Sequence, residues 1–139
     1  MSEWIIDTGP LVAYLDAADD EHARVAACLD KFSGRLVTTG AVVTEAMYFV
    51  STTTSGARRL ADLVADSGMH VFDLAQPAEL RAAAELMERY SDTPMDYADA
   101  TLVLLAEALQ VYDVLTLDRR GFSTYRPARG KAFRLTLDP

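Results

Sequence analysis

Short apolar runs alternate with helical stretches along this chain, and that alternation constrains its fold more than any other feature. Trp4-Ile5-Ile6, RLVTT (35–39), HVFDL (70–74), DVLTLD (113–118) and AFRLTL (132–137) read as strands rich in β-branched and aromatic residues. Between them, PLVAYLD (10–16) has Pro10 in a first helical turn, where proline is tolerated. DDEHARVAACLDKF (19–32) opens with capping acids and places Val25, Cys28, Leu29 and Phe32 at helical spacing. GAVVTEAMYFV (40–50), ARRLADLVAD (57–66), PAELRAAAELMERY (77–90) and DYADATLVLLAEALQ (96–110) supply further helices, the first of these nearly all apolar. Strands separated by helices imply βαβ crossovers and an α/β fold with a mainly parallel sheet covered on both faces. At 139 residues the chain fits one compact domain, expected over 1–139.

This pattern narrows the meaning of Asp7-Thr8-Gly9, which directly follows the first strand. The same tripeptide presents half of the carboxylate dyad of aspartic proteases. Those enzymes are built from strands and glycine-rich turns, whereas this chain has seven glycines and many alanines in helical registers. In an open α/β sheet, ligands bind outside the carboxyl ends of the strands, where Asp7 stands. Asp118 is expected at the same end of the fourth strand. Glu45 interrupts the apolar run from Ala41 to Val50, where a carboxylate without water, cation or partner is costly. Asp96 and Asp99, three residues apart at a helix start, face roughly the same way.

Each acid also has a purely local reading. Asp7 can cap the following helix, Asp96 and Asp99 can form a capping box, and Asp118 can open a turn before Gly121. Carboxylates about 5 Å apart repel by roughly 3 kcal/mol at an effective dielectric of 20, so four converging at one sheet edge need protons or a cation. Oxygen-only ligands favour Mg2+ or Mn2+ over zinc or copper, and such a site suits phosphodiester hydrolysis. Other chemistries find less support. His22, beside Asp19, Asp20 and Glu21, reads as a capping or exposed residue; no serine sits in a nucleophile elbow, and no glycine-rich nucleotide loop is present. Cys28 is alone, which excludes an internal disulfide and a cysteine zinc cluster.

Thirteen basic against 21 acidic residues give a net charge of −8, which taken alone argues against a nucleic-acid binder. The distribution differs from the total: Arg119, Arg120, Arg126, Arg129, Lys131 and Arg134 occupy a stretch without an acidic residue. This is either a solvated segment or a lip that holds an anionic polymer beside an acidic centre. In the second reading Arg119 and Arg120 hold phosphates flanking a scissile bond, and Arg126, Arg129 and Lys131 extend the track. No apolar run approaches the roughly 18 to 20 residues of a membrane span, and the N-terminus lacks a signal peptide's pattern, so a cytoplasmic protein without membrane contact is expected.

In order and spacing, IIDTGPLVAYLD, Glu45 within TTGAVVTEAMYFV, PMDYADATLVLLAE and VLTLDRRGF resemble the motifs of PIN-domain proteins, particularly VapC-type toxin ribonucleases. The resemblance implies a three-layer α/β/α sandwich and a ribonuclease site holding Mg2+ or Mn2+. It also implies homodimers and, for the toxin branch, a VapB-like antitoxin. Carried over by motif, Asp7, Glu45, Asp99 and Asp118 are the four catalytic and metal-binding acids, while Asp96 is either an additional acid or a cap. Thr8 and Thr116, beside the strand-end aspartates, are placed to orient ligands or water. Gly121 departs from the pattern, since many relatives carry an acid there. A PIN-like module that binds RNA or protein without cleaving is the alternative. A phosphoryl-transfer domain of the receiver or haloacid-dehalogenase kind fits less well, because Gly9 stands where the latter has a second aspartate and Lys31 and Lys131 are the only lysines.

Overall fold

The computed structural model describes residues 2–127 and 130–138. Strands β1 (Glu3–Ile6), β2 (Arg35–Thr39), β3 (His70–Phe72), β4 (Asp113–Leu115) and β5 (Arg134–Leu135) form one sheet in the order β3-β2-β1-β4-β5. Every pairing is parallel, with Ile5 opposite both Val37 and Val114. Helices α1 (Thr8–Leu15), α2 (His22–Lys31), α3 (Gly40–Val50), α4 (Gly56–Ser67), α5 (Pro77–Arg89), α6 (Tyr97–Leu109) and α7 (Arg119–Thr124) complete the three-layer α/β/α arrangement. From β1 the chain winds outward through β2 to β3, then returns to the other side of β1 with β4 and β5. The winding therefore reverses between β1 and β4, and a crevice opens there at the carboxyl ends of the strands.

Local chemistry explains the elements. Ile5 and Ile6 are fully buried at the centre of the sheet, as strands covered on both faces require. Glu79 accepts a hydrogen bond from the Gln76 amide ahead of Pro77, which fixes the start of α5. Gly68, at φ 72°, ends α4 in the left-handed conformation that glycine adopts without strain. Helix α6 buries Ala98, Ala100, Thr101, Leu102, Val103, Leu105 and Ala106, packing on α5 and against β2. No helix among the described residues is long and apolar enough to cross a membrane.

Three elements differ from the sequence-based expectation. β4 ends at Leu115, so Asp118 lies beyond the strand rather than at its last position. The segment after Asp118, expected as a turn, forms α7, whose Phe122 and the Tyr125 that follows the helix are fully buried and meet edge to face at 5.2 Å. The acids Asp19 and Asp20 stand before α2 rather than in it, since that helix starts at His22. His22 has the capping role: its Nδ1 lies 2.8 Å from the Ala13 carbonyl near the end of α1.

Candidate metal centre

Asp7, the first residue after β1, is only 7% exposed, and both of its carboxylate oxygens accept hydrogen bonds. The Thr8 amide donates to Oδ1 at 2.8 Å, and the Thr116 hydroxyl donates to Oδ2 at 2.7 Å. Thr116 follows β4 and in turn accepts from the Asp118 amide at 3.0 Å, so one buried hydroxyl joins the two strand ends across the switch point. Burial pushes the Asp7 carboxyl up from 3.8 to about 6, against the pull of these hydrogen bonds and with a smaller push from Asp96 and Glu45.

Asp96 and Asp99 form the capping box of α6: Asp96 Oδ1 accepts from the Asp99 amide at 2.8 Å, and Asp99 Oδ2 accepts from the Asp96 amide at 3.2 Å. Asp118 caps α7 through a hydrogen bond from the Gly121 amide to Oδ1 at 3.0 Å. Capping and site-building are thus compatible: Asp7, Asp96 and Asp118 each cap a helix, and all three border the same cleft. Asp99 is pushed up to about 8, first by burial and then by the negative charges of Asp7 and Asp96. Glu45, half-buried on α3, is raised by burial and by Asp96, and the nearby Thr8 hydroxyl pulls the other way.

The cleft has a volume of about 540 Å3 and brings Asp7, Glu45, Asp96, Asp99 and Asp118 to its walls, with Thr8 beside them. Among the lining residues not anticipated, two change the character of the cleft. Asp19, from the loop between α1 and α2, adds a sixth carboxylate, and the half-exposed Phe49 of α3 forms an apolar rim. The loop around Asp19 is acidic at four of six positions from 16 to 21, so nothing marked this residue in the sequence.

Among the described residues no three of these side chains gather into a preformed metal cage. The donor set nevertheless fits a hard divalent cation. Its donors are all oxygens, two of its carboxyls are held well above their ordinary range by burial and, more weakly, by neighbouring negative charge, and the buried Thr8 Oγ1 has no hydrogen-bond partner of ordinary geometry.

The basic stretch is engaged mostly away from the cleft. Arg126 donates to the carbonyls of Ser123, Thr124 and Tyr125, closing the end of α7. Arg134 pairs with Asp113 across β4 and β5 at 2.6 Å, and Lys131 lies 5.6 Å from the centre of the Tyr112 ring. Arg119 approaches Asp138 at 3.6 Å and is largely exposed; Arg120 is exposed without an ion pair among the described residues. Neither lines the cleft, and Arg129 lies outside the described residues.

The sequence matches the family model for the PIN domain over residues 4–126. It is 40% identical over 131 residues to Ribonuclease VapC26 of Mycobacterium tuberculosis, a match covering 93% of this chain and 96% of that protein. The crystal structure of Mycobacterium tuberculosis VapC20, a sarcin-ricin loop cleaving toxin, superposes with a TM-score of 0.78 at 16% identity, covering 91% of this chain and 98% of that one. This second likeness is one of fold. The order of the strands, the acids at the switch point and the extent of these matches lead to one conclusion: the chain belongs to the PIN-domain family.

Proposed function

We propose that this protein is a metal-dependent endoribonuclease that hydrolyses RNA phosphodiester bonds, the toxin of a VapC-type toxin–antitoxin pair. The observation that carries the reading is the convergence of Asp7, Glu45, Asp99 and Asp118 on one cleft at the switch point, in a chain 40% identical to a VapC ribonuclease over nearly its whole length. Asp7, Asp99 and Asp118 would hold Mg2+ or Mn2+, with Glu45 completing the shell. When bound, such a cation supplies Lewis acidity at the phosphate and neutralises charge that the carboxylates cannot share.

The chain's own groups do the rest. Thr116 orients the Asp7 carboxylate by donating to it, and the Thr8 hydroxyl, which draws the Glu45 carboxyl down, would orient that group toward the cleft. Glu45, the half-buried carboxylate that α3 brings to the cleft wall, would position the attacking water and take its proton. Arg120 is the exposed cation nearest in sequence to Asp118 that is available to a flanking phosphate, and Arg119 joins it if RNA displaces Asp138. A homodimer and a VapB-like antitoxin are the expected protein partners. The exposed Tyr48, Phe49 and Leu80 provide apolar surface for such contacts.

The test is cleavage of single-stranded and structured RNA by purified protein with Mg2+ or Mn2+, and its arrest by chelation. Asp7→Asn and Asp99→Asn should each abolish cleavage at limiting metal. RNA binding without metal-dependent cleavage would favour the non-catalytic module instead. Measuring affinity against salt for Arg119→Ala and Arg120→Ala assigns the arginines: a shallower salt slope places them on RNA, and loss of protein association with an unchanged slope places them on a partner.

A further inference from the structure

Two further depressions continue the acidic cleft along the carboxyl edge of the sheet. The first, of about 370 Å3, shares Glu45 and Asp96 with the cleft and adds Ala41 and Thr44 of α3 and Tyr97 and Ala98 of α6. The second, of about 310 Å3, shares Ala41, Thr44 and Tyr97 with the first and reaches Thr39 and Asp73 at the ends of β2 and β3. The three form one path from the switch point toward the edge strand β3, and Tyr97 borders both of its outer parts.

The chemistry changes along this path. Past Glu45 and Asp96, the α3–α6 depression offers two alanines, a threonine and an aromatic ring. Among the described residues, no lysine or arginine lines any of the three hollows. A polyanion crossing this edge therefore meets no cation on the way and is repelled by Asp73 at the far end, so its phosphates face outward. What it can place in the depression is flat and apolar. A nucleobase has both properties, and stacking on an aromatic ring holds unpaired bases without an ion pair. Tyr97 is half-buried, and its hydroxyl donates a long hydrogen bond of 3.5 Å to the Leu74 carbonyl, so its position is fixed before any ligand arrives. It is the first residue of α6, directly between the cap Asp96 and the turn that carries Asp99.

We propose that the α3–α6 depression is a base-binding subsite, in which Tyr97 stacks on the base of an unpaired nucleotide beside the scissile phosphate. This rests on the nuclease reading above. The occupant is the same RNA strand whose phosphate lies at the acidic cleft, because the two hollows share Glu45 and Asp96 as walls. The subsite contributes no group to the reaction; it holds the strand in register, so that one bond and not its neighbour meets the acids. It also explains how a chain of net charge −8, with no cation in its cleft, can retain RNA.

The experiment uses the RNA cut best in the metal-dependent cleavage assay above, with its cut bond mapped and an abasic nucleotide placed in turn at each flanking position. Tyr97→Ala should lower kcat/KM about tenfold, the scale of one base–aromatic stack, with Mn2+ affinity unchanged, and Tyr97→Phe should restore it. In wild type, an abasic nucleotide at one flanking position should cause the same loss, and the two changes together should cost no more than either alone. Losses that multiply at every position, a Tyr97→Phe variant as poor as Tyr97→Ala, or loss of Mn2+ affinity in Tyr97→Ala overturn the proposal while wild-type cleavage still stands. So does a Tyr97→Ala variant that cleaves normally but no longer self-associates, which makes this face a contact between copies. Wild-type protein that cuts no RNA overturns the nuclease reading and this proposal together. If Tyr97→Ala fails to fold, Thr44→Trp, at an exposed position on the opposite wall, decides. It fills the depression and should slow cleavage about tenfold or more with Mn2+ affinity unchanged; normal cleavage refutes the subsite.

Discussion

Replacing Asp7 by asparagine tests the electrostatics of the cleft without any substrate. The raised carboxyl, from 3.8 to about 6 in a group with both oxygens bonded, corresponds to about 3 kcal/mol of penalty for holding the charge in the folded, metal-free protein. A group raised in this way contributes most to stability below its unfolded value, and that contribution is lost as pH rises through about 6. Asparagine removes the charge and keeps the shape. It accepts from the Thr8 amide as before, but its NH2 faces the Thr116 hydroxyl, which must reorient at a cost of about 1 kcal/mol. In chelator at pH 8, Asp7→Asn should therefore be more stable than wild type by ~2 kcal/mol, or roughly 5 to 8 °C in Tm. Below about pH 4.5 the advantage should vanish and reverse, because the wild-type carboxyl is then protonated in the folded state and increasingly so in the unfolded one. Calorimetric Tm values for both proteins between pH 4 and pH 8 give the crossover. A difference of one sign and size across that range, or a variant less stable at pH 8, would refute the claim that burial of this charge is costly.

Two further outcomes follow from the same geometry. Metal binding should release protons, with affinity rising as pH rises through about 6 and about 8, where Asp7 and Asp99 ionise, and calorimetry at pH 7 in buffers of different ionisation enthalpy should detect their release. An enthalpy independent of buffer would contradict it. Thr116→Val removes the donor to Asp7 and the acceptor for the Asp118 amide, and should weaken metal affinity by about 10- to 100-fold. Thr101→Val breaks the 2.8 Å contact with Thr39 away from the acids and should alter stability alone, so equal metal losses in the two variants would deny Thr116 its special place.

The acids that were legible in the sequence were those in the wrong company. Glu45 stands in an apolar helix and Asp7 closes a buried strand, so periodicity alone set them apart. Asp19 had no such contrast; only the tertiary placement of the α1–α2 loop brings it to the cleft. The all-parallel sheet followed from alternating strands and helices, but α7 did not, because a six-residue helix containing a glycine and two adjacent arginines carries no apolar period. The partners of the basic residues were equally hidden. Arg134 meets Asp113 only because β5 aligns beside β4 with those two residues in register, a fact of strand order.

The bond from Thr116 to Asp7 joins positions 109 residues apart, and β4 enters the sheet beside β1 only after every other central element has been made. During synthesis, the amino-terminal half emerges with Asp7 and Glu45 but with neither the α6 acids nor the threonine that orients Asp7. Contacts so distant along the chain form late, after the closure entropy of everything between them has been met. A nascent or prematurely terminated chain consequently carries an incomplete acidic cleft, which is assembled only when nearly the whole polypeptide is free to fold.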